Sequence, residues 1–414
     1  MDTGDTAWIL ASSALVLLMT PGLAFFYGGM VRSKTVLNMM MMSFAALAIV
    51  PVLWVLYGYS MAFSPGGSGA LGGFERLGLN NISVDTVYGT IPEYVFVGFQ
   101  LMFAIITVAL ISGAIADRAK FSAWVVFTVV WVSVVYFPVA HWVFDFGDNG
   151  GWIATQLEAI DFAGGTAVHI NAGAAGLALA LVLGKRAGWK RDPMRPHNLP
   201  FVLLGAGLLW FGWIGFNAGS ALGANGLAAL ALVNTAVATG AAILGWLLVE
   251  ALRDKKGTSL GAASGAVAGL VAITPAAGSI SPFGSIFLGV IAGVLCALAV
   301  GLKYQLGYDD SLDVVGVHLV GGLVGTILIG FLAVGDIGLF YGGDASQLGR
   351  QIVAAAAVLA YSFVLTYLIG KAIDLTMGFR IDADDEVIGI DQVEHLETAY
   401  DYVGTGGSNF LKEL

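Results

Sequence analysis

Charge is what this sequence has least of. Only 11% of its 414 residues are Asp, Glu, Lys or Arg, while 58% are hydrophobic, and a soluble domain cannot cover that much apolar surface with so little charge. Lipid must be the solvent for much of the chain. Cysteine is nearly missing too: Cys296 stands alone in an apolar run, which excludes a disulfide framework and a thiolate metal cluster and leaves a small buried hydrophobe. No basic stretch precedes the first apolar run, residues 7–30, which follows Asp2 and Asp5; the run is expected to be retained as a membrane span and not cleaved as a secretory signal. A net charge of -10 argues against nucleic acid as a partner. The chain shows no phosphate loop, nucleophile triad or metal-ligand cluster, so neither an enzyme nor a bound cofactor or metal is expected.

What the chain has in abundance is long apolar runs. A hydrocarbon layer about 30 Å thick takes roughly 20 helical residues to cross. Runs of that order fall near 7–31, 36–63, 93–116, 121–144, 162–183, 198–218, 226–251, 259–276, 282–302, 313–334 and 350–376. The reading is an all-α multi-pass membrane protein with eleven spans. Its 58 glycines would weaken soluble helices, but in a bilayer they let backbones approach closely.

The basic residues test the count. With eleven spans, Arg76 and Arg350 fall on one side and the remaining sixteen of the 18 Lys and Arg residues on the other. Cytoplasmic loops carry such an excess, so the N-terminus is expected outside and the C-terminus inside. Omitting one span would scatter the basic residues over both faces. The polar end, 378–414, is too short for a core of its own; it is read as a cytoplasmic tail, either a solubilising end or a docking and regulatory element.

Two segments resemble each other: "DFAGGTAVHINAGAAG" at 161–176 and "DVVGVHLVGGLVG" at 313–325. Glycine follows each histidine at the fourth and seventh positions, Gly173 and Gly176 after His169, Gly322 and Gly325 after His318. Spans one to five and six to ten, about 7–183 and 198–334, then form two repeats, and because five is odd the second is inverted. Matching positions on the last helices of such repeats meet near the midplane, so His169 and His318 are expected to face each other. The plain alternative is that each imidazole only hydrogen-bonds a neighbouring helix. A common reason for two costly intramembrane histidines favours function.

Residues 161–186, "DFAGGTAVHINAGAAGLALALVLGKR", resemble the signature segment of ammonium transporters of the Amt/Mep/Rh family, prokaryotic Amt type. "PGLAFFYGGMVRSK", "FAIITVALISGAIADRAKFSAW", "LLWFGWIGFNAGSAL" and "GLVAITPAAG" agree in order along nearly the whole chain. The resemblance implies a cell-membrane protein for nitrogen uptake, a homotrimer with one pore per subunit, and a transport domain at 1–377. Its substrate would be ammonium or ammonia, with methylammonium as an analogue. By matching motif, Phe103 and Phe216 would close the outer mouth. Ser220 with Trp213 and Phe144 would form the outer ammonium site, His169 and His318 a proton relay, and Asp161 a structural support of that site. In the tail, Arg380, Gly389, Asp391 and His395 match a segment that communicates between subunits and supports regulation by PII-type proteins. Phe144 departs from the family, where many bacterial members have tryptophan. A phenyl face attracts cations less and has no N–H donor, so Trp142 or Trp152 would have to compensate, with Asp145 and Asp148 either gathering cations or simply hydrated. An ammonium sensor signalling through the tail is the rival reading.

Overall fold

The computed structural model describes residues 1–400; the last part of the expected tail, 401–414, lies outside them. Among the described residues, ten helices are long and apolar enough to cross a membrane. They are α1 (Thr3–Met30), α2 (Val36–Phe63), α3 (Glu93–Ile115), α4 (Phe121–Phe144), α5 (Gly165–Leu183), α6 (Leu199–Gly219), α7 (Gly226–Asp254), α9 (Pro282–Leu306), α10 (Val315–Leu332) and α11 (Ser346–Met377). The expected span at 259–276 is a shorter apolar helix, α8 (Ser259–Ile273). Its regular turns stop ahead of Pro275, whose ring and missing N–H end a helix. Helix α11 begins earlier than the expected 350 because Gln347 is drawn into a buried hydrogen-bond cluster with Gln351 at 2.9 Å.

Small residues set the helix spacing. A Cβ on Gly205 of α6 would lie 2.3 Å from the Phe26 nitrogen of α1, and one on Gly293 of α9 would lie 2.1 Å from the Ala242 oxygen of α7. Helices can close to this distance only where one side chain is absent. The same device joins α5 to α10, reciprocally. Gly173 abuts Leu319, the residue after His318, and Gly322 abuts Ile170, the residue after His169. The glycine pattern read from the sequence is thus the surface that brings the two histidine turns together.

Both of those turns are π-helical, Gly165–Ile170 and Val315–Leu319; His169 N–H bonds the Gly164 oxygen five residues back, at 3.1 Å. Such turns are rare and cluster at functional sites. Each is capped by an aspartate eight residues before its histidine. Asp161 accepts the N–H groups of Gly164, Gly165 and Thr166, all at 2.7 Å, and the Thr166 hydroxyl. Asp310 accepts those of Val314 and Val315, at 3.1 and 2.7 Å. Carboxylates there satisfy orphan donors and oppose the helix dipole.

The described part of the tail, residues 378–400, is structured. It folds back as two short helices, α12 (Ala383–Ile388) and α13 (Ile390–His395), against the face that carries most basic residues. Asp391 accepts the first N–H groups of α2, Leu37 and Asn38, at 3.0 and 2.8 Å. His395 bonds Asn38 at 3.0 Å and its ring meets Phe121 edge-on. Gly389, at φ +131, passes against Lys34 where a side chain would collide. Arg380 pairs with buried Glu386 at 2.8 Å, and Glu386 also accepts from the Ala187 N–H. Residues 378–400 thus pack against the rest of the same chain.

Candidate functional site

Helix α3 places Phe96, Phe99, Gln100 and Phe103 on one face, as spacings of three and four require, and that face lines a cavity of about 370 Å³ opposite the tail. Its other walls are Phe144 at the end of α4, Ser220 after α6, the segment 158–162 and, from a two-residue hairpin, Tyr88. At its floor the rings of Phe103 and Phe216 stack, 4.1 Å between centroids and both buried. Phe144 meets Phe103 edge to face at 6.2 Å. Ser220 donates its hydroxyl proton to the Phe216 carbonyl at 2.8 Å, which leaves its oxygen lone pairs free to accept from a cation.

Below the floor the rings continue. His169 stacks with Trp213 at 5.3 Å and lies 6.2 Å from Phe216, and its centroid is 5.4 Å from that of His318. The Nδ1 atoms of the two imidazoles are 3.4 Å apart, so one donates and the other accepts. Nε2 of His169 is buried and has no partner among the described residues. The surrounding wall is apolar, with Leu23, Ile106, Leu110 and Val267. Buried polar groups without compensation are costly, so this apolar interior disfavours a full charge, and the two imidazoles are the titratable groups of its lining.

Two expectations need correction. Trp213 does not belong with Ser220 at the mouth. It lies beneath the phenyl pair, where its N–H bonds the Thr274 hydroxyl at 2.8 Å. Seven residues separate the two along α6, and two helical turns share a face but differ in level by about 10 Å. Nor do Trp142 and Trp152 stand in for the missing indole near Phe144. Their rings lie 5.8 Å from each other, outside the cavity wall, and the Trp142 N–H is given to the Ala70 carbonyl. Asp145 is turned to His141, 3.3 Å away, and Asp148 is exposed on the loop. The tail residues Arg380, Gly389, Asp391 and His395 lie at the opposite face and line neither the cavity nor the space around the histidine pair.

The sequence reading missed Thr274, Asp310 and the Gln351 clamp. Asp310 had a signal: it stands eight residues before His318, as Asp161 stands before His169. Gln351 holds both the N–H and the carbonyl of Ile160, at 2.7 and 2.8 Å, next to Asp161; nothing local announces it. Among the described residues no three His, Cys, Asp or Glu side chains converge as a metal site would.

At the tail-bearing face the charges are buried in pairs. Arg186 bonds Asp309 at 2.9 Å and Asp117 at 3.1 Å. Burial alone would raise Asp309, but the hydrogen bonds and charge of Arg186 hold its carboxyl below the usual range. Burial pushes Asp310 up to about 6, and Asp313 adds to it against the pull of Lys303 and the two N–H groups.

A family model described as Ammonium Transporter Family matches residues 7–400. The ammonium transporter of Mycobacterium tuberculosis strain H37Rv is 59% identical over 439 residues, 98% of this chain and 92% of its own. The crystal structure of Candida albicans Mep2 superposes with a TM-score of 0.84 at 35% identity, over 93% of this chain and 88% of that one. A structure titled "Sensor Amt Protein" gives a TM-score of 0.88 at 28% identity, over 95% and 98%.

Proposed function

The chain belongs to the ammonium transporter family, and from that premise we propose that each subunit carries ammonium nitrogen along its own row of rings. Membership makes it a multi-pass membrane transport protein and not an enzyme. In the proposed route ammonium gathers in the cavity beside Ser220 and Phe144, sheds water, and passes the Phe103 and Phe216 gate. It then yields its proton to the pair His169 and His318. Ammonium and potassium are close in size, so selection needs chemistry: Ser220 accepts a hydrogen bond that potassium cannot donate, aromatic faces attract the cation, and an apolar lumen favours proton release.

The observation that carries this reading is the continuous sequence of rings, Phe103 to Phe216 at 4.1 Å, Phe216 to His169 at 6.2 Å and His169 to His318 at 5.4 Å. A packing core has no reason to align two hydrogen-bonded imidazoles under a phenyl stack. Asp161 is proposed to hold the mouth by capping α5. The domain plan proposed is a transport domain at 1–377 with inverted repeats about 7–183 and 198–334, the eleventh span about 350–376, and a cytoplasmic tail at 378–414. Eleven crossings, an outer N-terminus, a homotrimer and a PII-type partner at the tail complete the proposal.

The test is current across solid-supported membranes carrying the purified protein after an ammonium jump, beside the double variant His169→Ala, His318→Ala. A saturable current that the variant lacks supports net charge transport through the histidine pair. No current, with an ammonium-dependent pH change in the same vesicles, means neutral ammonia moves. Silence in both moves the reading to a sensor, which the docked tail and the likeness to a structure titled "Sensor Amt Protein" favour as second choice.

A further inference from the structure

Phe144 is a bare phenyl ring, and the two indoles near it in sequence are turned elsewhere. The cavity wall nevertheless holds one aromatic ring with a polar tip, Tyr88, among rings that are otherwise phenylalanine. Its position is built by the hairpin Val87–Tyr88 and Ile91–Pro92, in which Tyr88 pairs with Ile91. Gly89 makes the turn at φ +58, which glycine adopts without strain at the first central position of such a hairpin. The hairpin lays the tyrosine ring flat on Phe96 of α3, 3.7 Å between centroids at 11°. One face is therefore covered, and the ring is fixed. Phe96 precedes Phe103 by seven residues, so Tyr88 stands about 10 Å above the phenyl gate.

The chemistry of this place suits a small cation that donates hydrogen bonds. The Tyr88 hydroxyl makes no hydrogen bond to another described residue, so its oxygen can accept. Burial, with Asp145 and then Glu93 adding to it, pushes the phenol up to about 12, so the group stays neutral. The two nearby carboxylates that hold the phenol proton also favour a cation over its ring. Glu93 itself is committed to Arg76 and to the Tyr59 hydroxyl, at 3.1 and 2.9 Å, and Asp145 to His141. Neither carboxylate is free to trap the cation outright.

We propose that Tyr88 is a specificity-determining residue of the cavity: its uncovered face and its hydroxyl receive an ammonium-type cation above Ser220, supplying the electron-rich ring and polar atom that Phe144 lacks. This rests on the outer-site reading given above. The same residue would favour ammonium, with four N–H donors, over methylammonium, with three, because a hydroxyl acceptor at this upper seat is of more use to the cation with more donors.

The experiment measures the half-saturating ammonium concentration of the wild-type protein in proteoliposomes, by current or by lumen pH, with Tyr88→Leu, Tyr88→Phe, Ser220→Ala and the double variant Tyr88→Leu, Phe144→Trp. Tyr88→Leu is expected to raise it about two- to fivefold with the maximal rate kept. Tyr88→Phe, which retains the stack on Phe96, raises it less, and Phe144→Trp added to Tyr88→Leu brings it back. A wild-type value in Tyr88→Leu overturns the inference. If Tyr88→Leu does not elute as folded protein, a wild-type value in Tyr88→Phe overturns it instead. When Ser220→Ala raises the value and the Tyr88 variants do not, only Tyr88 loses its role; when none of them does, the outer-site reading itself has failed.

Discussion

His169 and His318 approach through the same atom, Nδ1 to Nδ1 at 3.4 Å, so only one of the two can carry a proton on the shared side while both are neutral. Each imidazole defines the tautomer of the other. Removing either leaves its partner's Nδ1 unpaired in an apolar wall, and the pair should behave as one unit. Single variants His169→Leu and His318→Leu are therefore expected to lose nearly as much ammonium flux as the double variant, on the order of 100-fold. Initial rates from vesicle pH traces decide it: losses that multiply in the double variant would mean two independent sites.

Asp161 offers both carboxylate oxygens to donors, Oδ1 to Gly164 and Gly165, Oδ2 to Thr166. An amide can keep only one of these sets, because its nitrogen would point a donor at a donor. Asp161→Asn should therefore cost about 2 kcal/mol of helix-capping stability and disorder the turn that holds His169. The check is a thermal melt in detergent together with transport. A variant that melts like wild type and transports normally would remove Asp161 from the support of the site.

Much of this arrangement was legible in the sequence, and the misses have a physical pattern. The histidine pair was readable because identical glycine offsets after His169 and His318 report one packing surface twice. Phe103, Phe216 and Ser220 were named through the family resemblance, and the structure stacks the two rings and sets Ser220 in the cavity wall. Trp213 was assigned to the outer site by the resemblance alone, and its position seven residues before Ser220 puts it about two helical turns deeper. Asp310 hid among Asp309 and Asp313, and only its offset of eight residues from His318, the same as that of Asp161 from His169, singles it out. Gln351 acts through contacts with a segment far away in sequence, as does Asp391 on α2, and such contacts leave no local trace.

The carboxylates at the tail-bearing face titrate in opposite senses. Asp310 is raised from 3.8 to about 6, so the folded protein holds a proton there that the unfolded chain has lost. Its contribution to stability is full below about 3.8 and disappears as pH rises through about 6. Asp309 is lowered; its contribution is present above its ordinary value and is lost as pH falls through the lowered one. Between about pH 4 and pH 7 the Asp310 effect governs the difference. Asp310→Asn should flatten the change in melting midpoint between about pH 4.5 and about pH 7.5, with wild type falling more over that interval. An unchanged slope would show that Asp310 is ionised throughout.

The reciprocal glycines give the sharpest mechanical test. A Cβ on Gly173 would sit 2.4 Å from the Leu319 nitrogen, a backbone atom that cannot yield, whereas one on Gly322 would meet the Gly165 oxygen and Ile170 at 3.0 Å. Each glycine contacts the residue that follows the other repeat's histidine, so enlarging it separates the two π-turns. The graded clash implies graded damage: Gly173→Ala should reduce flux more than Gly322→Ala, and valine at either position should abolish it, since overpacking costs about 1–3 kcal/mol or more where backbone must move. Both alanine variants should still assemble and enter the membrane, because α5 and α10 keep their other partners, α11 foremost. Flux normalised to folded protein in vesicles reads the order. If Gly322→Ala proved the more damaging, the imidazole spacing would be governed by the Gly165 turn and not by the contact of α5 with Leu319.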